Sequence, residues 1–113
     1  MRHLRGRRCP ARAQVPTASF FTLALGEDRI ERADARYSVV TALDLIYHVV
    51  EHARWLDGLA EIARVLRPGG RLIVSDRFGA NNSVPAPHDR FRLRETWRQA
   101  ERFGLVLTEI RPY

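Results

Sequence analysis

The chain has 113 residues, enough for one small domain and too few for two. With 45% apolar and 28% charged residues it has the composition of an ordinary globular chain, which excludes disordered and fibrous classes. No apolar run approaches the roughly 18 residues a bilayer span requires, and the single Cys9 excludes an internal disulfide.

The net charge of +6 is unevenly placed. Arg2, Arg5, Arg7, Arg8 and Arg12 fall in the first twelve residues, while the remaining 14 Arg nearly balance the 13 acids. No Lys occurs, so the basic excess reads as a solvated N-terminal arm over residues 1–16 followed by one domain over 17–113. A nucleic-acid-binding arm is the rival reading, and the near-neutral body argues against it. The arm lacks the apolar stretch of a secretory signal and no Cys/His spacing suggests zinc; together these predict a cytoplasmic protein without a structural metal.

In chain order, Ala18 to Leu25 is short, aromatic and apolar with Gly26 behind it, which predicts a strand. Glu27 to Arg36 is a polar connector. Tyr37 to Leu43 is a nearly continuous apolar and β-branched run, the pattern of a parallel strand covered on both faces. Between Glu51 and Leu66, Trp55, Leu56, Leu59, Ile62, Ala63, Val65 and Leu66 recur at three- and four-residue spacing, predicting an amphipathic helix. Pro68, Gly69 and Gly70 stop it near Arg67, and Arg71 to Ser75 reads as a second buried strand. Residues 37–75 are thus a βαβ unit, expected to be parallel and right-handed. Gly79 to Asp89 is a long loop. Leu93 to Phe103 predicts a second amphipathic helix capped by Gly104, and Leu105 to Ile110 alternates like a last strand. The fold class is α/β with a mostly parallel sheet.

The segments YSVVTALDLIYHVV and WLDGLAEIARVLRPGGRLIVSD resemble the second half of a class I S-adenosylmethionine (SAM)-dependent methyltransferase domain, and RFRLRETWRQAERFGLVLTEIRP resembles that family's next helix and strand. The resemblance implies a partial Rossmann-like sandwich and methyl transfer from SAM to a small-molecule acceptor. It also implies that the family's first strand, with its Gly-rich G-x-G turn, is missing, since no G-x-G occurs in the chain. That turn lets backbone approach the cofactor where a Cβ would block it. Ser38 stands where the family usually has Asp, and Ala24 about where it has the acid that contacts adenine. The chain therefore reads as an incomplete domain that binds SAM weakly and associates through open sheet edges.

Ligands of open parallel sheets bind beyond the carboxyl ends of the strands. In the resembled family the residues closing this strand line the SAM pocket, here Ala42, Leu43 and Asp44. The plain alternative is that Ala42 and Leu43 are core and Asp44 caps the turn. Methyl transfer is an in-line displacement that profits from an aligned acceptor and, where the acceptor carries a proton, from a base. His48 and Tyr47 suit that task, though His48 bonding loop backbone and Tyr47 packing on the crossover helix is the plainer reading. His52 and His88 are expected to be exposed, Asp76 to cap a loop, and Trp55 and Trp97 to be core. A non-catalytic remnant or interaction module is the alternative to the enzyme.

Overall fold

The structure, a computed structural model, describes residues 18–19, 21–77 and 88–112. The Arg-rich arm and most of the Gly79 to Asp89 loop lie outside them. Among the described residues four principal elements carry the fold: β1 (Tyr37–Ala42), α1 (His52–Val65), β2 (Leu66–Val74) and α2 (Arg94–Trp97). A 3-10 turn, Ile46–His48, precedes α1, and a second, Arg98–Phe103, prolongs α2.

β1 and β2 are adjacent and parallel, with Val39, Val40, Thr41 and Ala42 opposite Arg71, Leu72, Ile73 and Val74. This is the βαβ unit that periodicity predicts. Its register jumps between Tyr37, which faces Leu66, and Val39, which faces Arg71. The extra residues form a bulge at Pro68 and Gly69, where Gly69 takes φ +79° and Pro68 has no amide to offer the ladder. The reversal expected there is thus absorbed inside β2.

α1 ends at Val65, two residues before the predicted stop, because the approach to β1 takes over its last carbonyls. Ala35 and Arg36 donate their amides to Arg64 O and Val65 O, each at 2.8 Å. The side chain of Arg64 fastens the same connector, donating to Asp34 at 2.6 Å and to the carbonyls of Ile30 and Arg32 at 2.7 and 2.9 Å. It also bonds Glu61, whose carboxyl this hydrogen bond holds below its ordinary range. The bonds that Arg64 donates to Glu61 and Asp34 raise its own pKa in turn.

The core lies between the sheet and the helices. Trp55, Leu59 and Ile62 of α1 meet Ala42, Ile46, Leu66, Trp97 and Ala100. Trp55 and Trp97 cross edge to face with centroids 5.1 Å apart, a favoured aromatic geometry. Gly104 closes the second 3-10 turn with φ +84°, as its position predicts.

Three expectations are corrected. Ala18 to Leu25 is not a strand among its described residues. Its end is a turn in which Glu27 and Asp28 donate to Ala24 O, with Gly26 at φ +89° pressed against the backbone of Arg54. Leu105 to Ile110 likewise forms no strand. Both segments have strand composition, but their described residues pair with neither β1 nor β2, and an unpaired strand gains no ladder bonds to hold it. β1 is also covered on one face only: Val40 and Ala42 point to α1, while Val39 and Ile73 are each 50% exposed on the other side. The predicted helix over Leu93 to Phe103 forms as one α-turn continued by a 3-10 turn.

Candidate functional site

The carboxyl ends of β1 and β2 converge on Ala42 to His48 and Ser75 to Arg77. At the end of β1 the chain makes a tight exit with Asp44 at φ +53°, a conformation that Asp tolerates better than most residues. Asp44 donates its amide to Ser75 Oγ at 2.7 Å, and Ser75 Oγ lies 3.4 Å from Asp44 Oδ1. The two strand ends are therefore tied to each other. Ala42 lies in the core, whereas Leu43 is 59% exposed and Leu45 is also exposed. Strand alternation puts Leu43 on the uncovered face, which corrects the reading of Leu43 as core.

Tyr47 and His48 follow in the 3-10 turn, rings 4.5 Å apart. Tyr47 also packs against Phe91, in the segment leading to α2, with the rings tilted and their centroids 5.5 Å apart. His48 Nδ1 lies 2.9 Å from Asp89 Oδ1 and 3.3 Å from the carbonyl of His88. His48 lines an open cleft of about 380 Å³ with Leu25, Val49, Val50, Arg54 and His88. Glu51 lies on the same rim, and Arg54 is engaged by Glu27. This volume is at the lower end of what small-molecule sites usually offer.

Behind the cleft stands a cluster that sequence reasoning missed. Arg92 is fully buried, with its guanidinium carbon 4.7 Å above the Trp55 ring and Nη2 donating to Val49 O at 2.7 Å. Burial pushes its pKa down to about 10, so it stays charged at neutral pH. Arg90 donates its amide to Tyr47 O at 2.7 Å and a guanidinium N–H to Val50 O at 3.1 Å. Asp76 accepts from Trp97 Nε1 at 2.8 Å and from the Arg77 amide at 2.8 Å. Burial raises its pKa, and the Trp97 bond offsets part of the rise. Asp76 thus anchors α2 to the end of β2, beyond capping its own loop. In a sequence with 19 Arg, nothing local marked Arg92 as interior. His52, expected to be exposed, is partly covered, stacking on Trp55 at 5.3 Å and donating from Nε2 to Gln99 Oε1 at 2.9 Å. His88 is exposed.

The family model of a methyltransferase domain matches residues 8–74, more than half of the chain. The chain belongs to the class I SAM-dependent methyltransferase domains, and its parallel βαβ core is a partial Rossmann-like fold of that family. The searches of curated proteins and of solved structures returned no match.

SAM is the usual methyl donor of the family. The residues present fit it only in part. Exposed Leu43 and Leu45 offer an apolar wall beyond β1. Ala42 is covered by the core, and the Asp44 carboxylate already faces Ser75. The adjacent Gly69 and Gly70 lie in the first half of β2, at the opposite end from the site, so they supply no backbone cradle there. Among the described residues no three metal-ligating side chains cluster, and no helix is long and apolar enough to cross a membrane.

Proposed function

We propose that this domain serves methyl transfer from SAM to a small-molecule acceptor, and that the described residues supply its acceptor side. The observation that carries the reading is the position of His48: on a methyltransferase-family fold, just past the carboxyl end of β1, at the rim of a cleft of small-molecule size. His48 orients the acceptor and takes its proton, and Tyr47, wedged between His48 and Phe91, steadies the imidazole. Leu43 and Asp44 border the cofactor side, with Ala42 behind them in the core.

Methyl transfer by the full chain at millimolar SAM, followed by mass spectrometry over phenols, alcohols, amines and carboxylic acids, tests this. Methylated product is expected, with His48→Gln slowing its formation by about 10²-fold. Undiminished transfer by His48→Gln overturns the role of His48. A second reading, an interaction module, is favoured by the uncovered sheet face with Val39 and Ile73, and absence of transfer to every acceptor would support it.

A further inference from the structure

The two atoms that face His48 Nδ1 are both oxygens: Asp89 Oδ1 at 2.9 Å and the His88 carbonyl at 3.3 Å. An ionised carboxylate and a carbonyl only accept hydrogen bonds, so the ring nitrogen between them carries the proton. In the neutral imidazole the lone pair is then on Nε2. Among the described residues nothing bonds Nε2, and the ring is half exposed at the cleft.

Two solvent-facing side chains can pair without consequence, since exposed ion pairs contribute about 0–1 kcal/mol. Here the chain on both sides of the pair is sewn together. Arg90 bonds Tyr47 O through its amide and Val50 O through its side chain, and Arg92 bonds Val49 O. Residues 90–92 are thereby held against residues 47–50, which presents Asp89 to His48 at a fixed distance. Asp89 is the less exposed partner, 30% against 50% for His48.

We infer that Asp89 is the positioning residue of the site: it holds His48 in the Nδ1–H form, so that Nε2 accepts a hydrogen bond from a methyl acceptor, which must be a neutral protic nucleophile bearing O–H or N–H. This rests on the acceptor role proposed for His48. A thioether has no proton for Nε2, and a carboxylate meets a lone pair there, so neither gains from this arrangement.

The test is ¹⁵N NMR of the full chain with labelled histidine, the His48 signals being assigned by their loss in His48→Gln. Wild type is expected to show a protonated Nδ1 and an unprotonated Nε2. In Asp89→Leu the Nε2 resonance should move toward the protonated position, whereas Glu51→Gln, which removes another acid at the cleft, should leave it in place. Nε2–H as the main form in wild type overturns the inference whether or not Asp89→Leu folds, and so does an unchanged tautomer in Asp89→Leu. Titration with phenol should shift Nε2 in wild type, and titration with acetate should not; no phenol shift, or an acetate shift in its place, overturns the acceptor class. The readout needs no methyl donor. A wild-type Nδ1–H form combined with undiminished methyl transfer by His48→Gln would therefore remove the acceptor role and leave the Asp89–His48 pairing intact.

Discussion

Replacing Arg92 with methionine keeps most of the side-chain volume and removes the charge, which separates two opposing contributions. Arg92 loses its hydration completely on folding, and its Nε finds no hydrogen-bond partner. Taking a guanidinium out of water costs several kcal/mol. Against that cost stand the charge-assisted bond to Val49 O at 2.7 Å, of about 1.5–3 kcal/mol, and the desolvated contact with the Trp55 face, of about 2 kcal/mol. Methionine would also leave the Val49 carbonyl without its donor, a further penalty of about 1–3 kcal/mol. We expect Arg92→Met to lose about 2–3 kcal/mol, equivalent to a fall in Tm of roughly 8–15 °C for a domain of this size. Arg92→Lys should not recover it, because an ammonium lacks the planar fork that stacks on an indole while bonding a carbonyl. Urea and thermal unfolding followed by tryptophan fluorescence measure the loss, since Trp55 lies directly beneath the guanidinium. A methionine variant as stable as wild type, or more so, would refute the reasoning. It would mean that the buried charge is a net cost and that Arg92 does not hold the segment carrying Asp89.

Two acids should shape the pH dependence with opposite signs. The folded-state pKa of Asp76 is raised by burial, so the folded chain holds this proton more tightly and stability falls as pH rises from about 3.8 through the folded value. Asp76→Asn, which keeps an acceptor for Trp97, should remove that decline in pH-dependent unfolding; an unchanged slope contradicts it. Glu61 is lowered by its bond from Arg64, so its contribution is present above 4.5 and fades as pH falls through the folded value, and Glu61→Gln should cost stability only at the higher pH. Gly26 and Gly69 both have positive φ, but a Cβ at Gly26 strikes the Arg54 carbonyl and one at Gly69 meets nothing. Gly69→Ala should cost about 1–2 kcal/mol, from backbone strain alone, and Gly26→Ala clearly more; equal melting points for the two would count against this packing. Among the described residues one sheet face is uncovered and both strands pair on one side only, so the chain should self-associate as its concentration rises, and Ile73→Lys should weaken association. A concentration-independent monomer in sedimentation would exclude it.

The parts of the fold that sequence made legible are those built from local periodicity. The α1 face with Trp55, Leu59 and Ile62, the two runs around Val40 and Leu72, and Gly104 as a cap all follow from spacing and residue type. Ala18 to Leu25 and Leu105 to Ile110 misled because β composition reports a readiness to pair and says nothing about whether a neighbour is present. At the candidate site, the place of His48 and Tyr47 just after a strand was legible in the sequence. Asp89 was not, for it sits 41 residues further on in a stretch that reads as loop, and only the tertiary bonds of Arg90 and Arg92 bring it to the imidazole. Arg92 itself was hidden by its type, since arginine is rarely fully buried and becomes so here over a tryptophan and beside two carbonyls.

The central proposal is that the described residues of this methyltransferase-family fold form an acceptor side and only part of a cofactor site. Calorimetry of the full chain with SAM tests it most directly. Among the described residues an apolar wall at Leu43 and Leu45 stands without a backbone cradle, which leaves the cost of fixing the ligand undiminished while few specific contacts offset it. The predicted dissociation constant is about 1 mM or weaker, a binding free energy of roughly 4 kcal/mol, unchanged by His48→Ala and tightened by a peptide carrying a Gly-rich strand and turn. Micromolar binding by the chain alone would contradict the account, because residues other than those at the end of β1 would then have to make the site.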